Sequence, residues 1–205
     1  MYKKYKNARD MAWKMLIKHQ VSALPVNILA LCREEKLTVF SYSEASRIGL
    51  LPLFEEIWQG TDGFSVIVRG RKLILYRDDC IVTRARFTIA HELGHYALGD
   101  VSSTPTKRNF EPTEEDDDIE TAANMFAARI LSPACVLRAL NVTKAEQIAR
   151  LCGVSMAAAK WRCKRLLALY EREQEWLATR GRSCFFISPL EVQVFRQFKP
   201  FIEMC

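Results

Sequence analysis

The chain has 205 residues, 49% of them hydrophobic, a formal net charge of +6 and seven cysteines. That length holds one large domain or two small ones, with ample apolar material for a packed core. Cys32, Cys80, Cys135, Cys152, Cys163, Cys184 and Cys205 are odd in number and lack any Cys-x-x-Cys spacing, which excludes a disulfide scaffold and predicts free thiols in a reducing compartment.

The N-terminal "MYKKYKNARDMAWKMLIKHQ" has charges throughout and no apolar run of signal-peptide length, and no later segment reads as a membrane span. The expectation is a cytoplasmic protein with no membrane partner. Tyr5, Ala8, Met11, Ala12, Met15 and Leu16 share one helical face, so residues 3–20 are predicted to form an amphipathic helix packed on the domain. Pro25 stands where a proline opens a helix, and "VNILALCREE" continues it. "LTVFSY" reads as a strand and "EASRIGLLPLFEEIWQ" as mostly helical, with a break at Pro52. "FSVIV" and "KLILYR" flank a loop containing Gly70 and predict a hairpin. "ARFTIAHELGHYALG" predicts a helix closed by Gly99. Residues 101–118 are polar, carry two prolines and a run of acids, and read as a loop. "IETAANMFAARIL" predicts the next helix, stopped by Ser132-Pro133.

His91-Glu92-x-x-His95 is the segment that carries chemistry. Residues four apart on a helix stand one turn apart on one face, so both imidazoles reach one ion. Glu92 can reach a water on that ion, take its proton and pass it on to a leaving amine. Phe87, Ile89, Ala90, Leu93 and Leu98 supply apolar flanks that bury the helix around the pair. A catalytic zinc usually has three protein ligands and one open position. The only other histidine, His19, reads as a surface or packing residue. The third ligand is therefore expected to be a carboxylate: Asp100, one of the acids Glu114–Asp118, or Glu120. Glu120 is preferred, because a helix holds a ligand more rigidly than a polar loop. Asn124, four residues on, shares its face and can hydrogen-bond a ligand.

Together, "RFTIAHELGHYALG" and "IETAANMFAARILSP" resemble the ImmA/IrrE family of zinc-dependent metallopeptidases. The matching positions are Arg84, Arg86, Phe87, Thr88, His91, Glu92 and His95, then Glu120, Ala123, Asn124, Phe126, Ala127 and Pro133; the likeness runs over roughly residues 10–170. The resemblance implies His91, His95 and Glu120 as zinc ligands and Glu92 as general base. It also implies a cytoplasmic protease, often encoded on mobile elements, that cuts helix-turn-helix repressors and so regulates transcription.

The fold expected is α+β: a mostly helical, zincin-like domain with a small β-sheet beside the active-site helix. Residues 1–140 are read as the catalytic domain, 141–175 as a helix-turn-helix-like hairpin packed on it, and 176–205 as an extension in which "SCFFIS" is a candidate strand. Residues 145–169 also have the shape of a DNA-binding helix-turn-helix, with Lys160, Arg162, Lys164 and Arg165 on its second helix. Trp161, amid them, suits a packed interface better, and direct nucleic-acid binding is not expected. Three function classes follow: a regulatory metalloendopeptidase, a DNA-binding regulator, and a metal-binding scaffold without turnover. For the first, "FSVIV" and "KLILYR" are candidate docking strands, and Tyr96, Arg84 and Arg86 candidates for the oxyanion.

Overall fold

The computed structural model describes residues 2–101 and 114–205, with the side chains of residues 2–5 and 114–116 left aside. The chain divides into two compact units: Met1–Met11 with Asn27–Ala127, and Ala12–Val26 with Ala128–Cys205.

The chain opens with helix α1 (Tyr2–Lys18), whose Ala8, Ala12, Met15 and Leu16 are all buried, as their shared face predicts. Helix α2 (Ile28–Glu34) starts later than Pro25. Asn27 is its N-cap, and the Asn27 side chain accepts from the Ala30 N–H at 3.1 Å. An Asn side chain satisfies one of the open N–H groups there, which a proline ring cannot do.

Strand β1 (Leu37–Ser41) ends one residue after Phe40, earlier than the sequence pattern implies, because Ser41 caps helix α3 (Tyr42–Arg47). The Ser41 hydroxyl accepts from the Glu44 N–H at 3.1 Å, and Glu44 returns a carboxylate to the Ser41 N–H at 2.8 Å. This reciprocal capping box pulls Tyr42 out of the strand. A 3-10 turn (Leu51–Phe54) and helix α4 (Glu55–Trp58) follow.

Strands β2 (Gly63–Val68) and β3 (Arg71–Tyr76) form the expected hairpin. The sheet order is β1-β3-β2, with β1 parallel and β2 antiparallel to β3. Tyr42, Ala45, Leu51, Phe64, Val66, Leu73 and Leu75 form the apolar core under this sheet. Helix α5 (Val82–Leu98) packs on β2 and β3, so the small sheet does lie beside the helix that carries the histidines. Helix α6 (Glu114–Leu131) begins five residues before Ile119. The acids read as a loop at 114–118 are thus helical, and acids in a first turn favour the helix dipole. The remainder of that loop, from residue 102 to residue 113, lies outside the described residues.

The second unit contains α7 (Ala134–Ala139), α8 (Ala145–Cys152), α9 (Met156–Arg180) and α10 (Pro189–Met204). Leu137, Ile148, Leu166, Val194 and Phe198 are fully buried in it. Two expectations reverse here. Trp161 is 48% exposed, with the Arg165 guanidinium 4.9 Å from its ring centroid. Arg162 is buried and donates to the Ser132 carbonyl at 3.0 and 2.6 Å. Adjacent helix positions point about 100° apart, so only one of the two could face the core.

The segment "SCFFIS" is not a strand. The Phe186 N–H donates to Glu191 at 2.9 Å and the Phe185 N–H to the Ser183 hydroxyl at 2.9 Å. Side chains take the donors that a ladder would have needed.

Candidate metal centre

Helix α5 presents His91, Glu92 and His95 as the spacing predicts. Glu92 and His95 are buried, and His91 is half-buried. The ligating atoms of the three side chains lie within 4.8 Å of one another, a group that could hold a metal ion. The two Nε2 atoms stand 3.0 Å apart, with the rings inclined at 80°.

Glu120 reaches both from α6. Its Oε2 is 3.0 Å from His91 Nε2 and its Oε1 is 3.4 Å from His95 Nε2. Burial alone would raise the Glu120 carboxyl; hydrogen bonds from His91 and His95 and the field of the two rings outweigh it and hold the group well below its ordinary range. Of the carboxylates weighed for the third position, Glu120 faces both Nε2 atoms. Asp100 lies instead on the other side of His95, 3.7 Å from its Nδ1. The Asn124 oxygen is 3.0 Å from His91 Nδ1, placed to accept from an Nδ1–H, which leaves Nε2 as the nitrogen on the side of Glu120 that could take an ion.

The donor set fits a tetrahedral ion. Bonds of about 2.0–2.1 Å imply donors roughly 3.3 Å apart; here the two Nε2 atoms are 3.0 Å apart, and the two Glu120 oxygens lie 3.0 Å from His91 Nε2 and 3.4 Å from His95 Nε2. Two imidazoles and a carboxylate also match the donor types of a catalytic zinc site.

Two glycines set the local geometry. A Cβ on Gly94 would stand 3.0 Å from Phe126 Cδ1 and 3.3 Å from the Ala123 carbonyl. The bare backbone at Gly94 therefore lets α6 approach α5 closely enough for Glu120 to meet the histidines. Gly99 ends α5 with φ 85°, in the left-handed region.

Tyr96 is not placed to stabilise an oxyanion. Its hydroxyl lies 2.7 Å from the Val66 carbonyl and accepts from the Leu73 N–H at 3.1 Å. It ties α5 to the hairpin at a Val66–Leu73 pair, a role that spacing does not reveal because it depends on which backbone atoms the ring tip meets. Burial, only partly offset by these backbone bonds, raises the Tyr96 phenol well above its ordinary value. Arg84 is committed to Asp62, with Nε 2.8 Å from the carboxylate. Arg86 is half-buried on the same helix, and His19 is half-buried just beyond α1.

The family model described as Peptidase M78, IrrE N-terminal-like domain, matches residues 47–164, more than half of the chain. This chain belongs to that family. As an IrrE N-terminal-like protein it has a metallopeptidase-type fold and function, with a protein as the class of substrate. The match spans α5 and α6, the two helices that bring His91, His95 and Glu120 together. A comparison with curated proteins finds no match. No helix among the described residues is long and apolar enough to cross a membrane.

Proposed function

We propose that this IrrE N-terminal-like protein is a zinc-dependent endopeptidase that cuts a regulatory protein in the cytoplasm, with a helix-turn-helix repressor as the expected substrate. The single observation that carries the reading is the convergence of His91, His95 and Glu120, with the buried Glu92 carboxylate beside them. The substrate class rests on the resemblance to ImmA/IrrE proteases, and the compartment on seven cysteines in no disulfide pattern.

In this reading His91, His95 and Glu120 hold the metal. Asn124 keeps the His91 ring in the tautomer that binds. Zinc held there would supply Lewis-acid polarisation of the scissile carbonyl and a lowered pKa for its bound water. Glu92 takes the proton of the attacking water and delivers it to the leaving amine nitrogen. Its position inside the helix, adjacent to His91, keeps the carboxylate near the reacting atoms without making it a ligand.

Of the two strands considered for docking, β3 pairs on both sides, so its backbone is already used. Strand β2 pairs with β3 alone among the described residues. An extended substrate can add to its other edge by main-chain hydrogen bonds, as peptides add to sheet edges elsewhere. The Tyr96 hydroxyl fixes that hairpin on the helix next to His95.

DNA binding through α8 and α9 is not part of the reading. The family match runs through α8 as far as Lys164, which supports this segment as part of the peptidase rather than an added DNA reader. Arg162, one of the four basic residues at positions 160–165, is moreover buried.

The test is co-production with the repressor encoded beside its gene. Wild-type protein is expected to yield repressor fragments, and His91→Ala, stripped of metal, to yield none. Equal fragmentation by both would reject the metal centre as the source of cleavage.

A further inference from the structure

We infer that Asp100 is a positioning residue for this metal centre, its carboxylate setting the tautomer and angle of the His95 ring. This rests on the reading of His91, His95 and Glu120 as ligands.

Asp100 is the first residue beyond the Gly99 cap. The left-handed turn at Gly99 folds the chain back, so that both the Gly99 and the Asp100 N–H donate to the His95 carbonyl, at 3.0 and 2.9 Å. The same turn brings the Asp100 carboxylate to 3.7 Å from His95 Nδ1. His95 is 2% exposed and Asp100 21%, so solvent screens the charge weakly at the ring. At 3.7 Å the contact exceeds hydrogen-bond length, and the carboxylate acts through its field. With an ion at Nε2 the ring proton must be on Nδ1, and a negative charge on that side favours this N–H dipole. Nε2, on the side of Glu120 and His91, is then the nitrogen left for the ion.

The two histidines are thus supported by different chemistry. Asn124 holds His91 by a neutral hydrogen bond at 3.0 Å, whereas Asp100 holds His95 by charge. Partners of this kind typically change metal affinity about 10–100-fold when removed. Because Asp100 lies on the Nδ1 side, it cannot share an ion with Nε2 of the same ring.

The experiment compares full-length wild type, Asp100→Asn and Asp100→Ala, with Asp79→Asn, at a carboxylate 76% exposed, as control. Zinc affinity is measured by competition with a chromophoric chelator. The His95 Nδ1–H is read by nitrogen–proton NMR on the zinc-loaded proteins. The expected result is about 10–100-fold weaker zinc binding in Asp100→Ala, a smaller loss in Asp100→Asn and none in Asp79→Asn. The Nδ1–H resonance should lie further downfield in wild type than in Asp100→Ala. Unchanged affinity and an unchanged Nδ1–H resonance in both Asp100 variants would overturn the inference alone. Wild-type protein that takes up no zinc would overturn the metal centre itself, and this role with it.

Discussion

At His91 and His95 a four-residue spacing becomes two ring nitrogens 3.0 Å apart, and Glu120 completes the set from another helix. Glu120→Gln keeps the shape but loses the charge and the stronger donor. Zinc occupancy, measured by elemental analysis after dialysis, is expected to fall far more in Glu120→Gln than in Asp117→Asn, since Asp117 is exposed; equal losses would reject the ligand set. That His91, His95 and Glu120 would come together was legible because helix geometry is regular. The position of Asp100 was not, since it depends on a left-handed turn. Nor was the exchange of Trp161 and Arg162, because two neighbours of similar bulk give no periodic signal. A second residue-scale prediction concerns Glu173, which is 3% exposed. Burial raises its carboxyl, but the Ser183 hydroxyl and Arg138, the latter at 2.7 Å, outweigh this and hold it below its ordinary value. A depressed folded pKa means that the unfolded chain binds more protons, so this contribution is present above the ordinary carboxylate range and lost as pH falls through the folded value. Urea unfolding should show Glu173→Gln less stable by about 1–3 kcal/mol at pH 7, with the gap closing in acid. A gap that stays constant to pH 3 would contradict the pairing.

Helix α5 owes its placement to contacts along its whole length: Ile89, Ala90 and Leu93 buried, Tyr96 on the hairpin and Gly94 against Phe126. Gly94→Ala puts a methyl group at 3.0 Å from Phe126 Cδ1 and 3.3 Å from the Ala123 carbonyl. Overpacking of this kind costs about 1–3 kcal/mol, and any relief separates α5 from α6. Thermal unfolding and zinc affinity should therefore both worsen in Gly94→Ala; a stable variant with full zinc affinity would show that the close approach is not needed. At this scale the sequence periodicity placed α5, the hairpin and the end of α6 well. It failed where side chains compete with the ladder: Ser41 and Glu44 end β1 early, and Ser183 and Glu191 take up the N–H groups of residues 185 and 186. It also missed the start of α6, where a run of acids resembles a loop until it is set against a helix dipole.

For the molecule as a whole, the proposed ligands come from two helices, so metal binding would be linked to folding. Zinc at a hundredfold excess over its Kd should stabilise the folded chain by about 2.7 kcal/mol, roughly 5–10 °C in Tm for a protein of this size. Chelator should reverse the gain, and Glu120→Gln should show little of it; a Tm indifferent to zinc would argue against a site formed by folding. The α+β class with a small sheet beside the helix that carries the histidines was readable from motif and pattern together, whereas the identity of the edge strand came only from the pairing order.

The central claim is that Glu92 moves a proton and does not hold the metal. Zinc content and fragment formation on the co-produced repressor, measured side by side for wild type and Glu92→Gln, test it most directly. Both proteins should carry one zinc, and the variant should cut at least about 10²–10⁴-fold more slowly while still binding its substrate. A Glu92→Gln protein that cuts as fast as wild type, or that loses its zinc, would contradict the account.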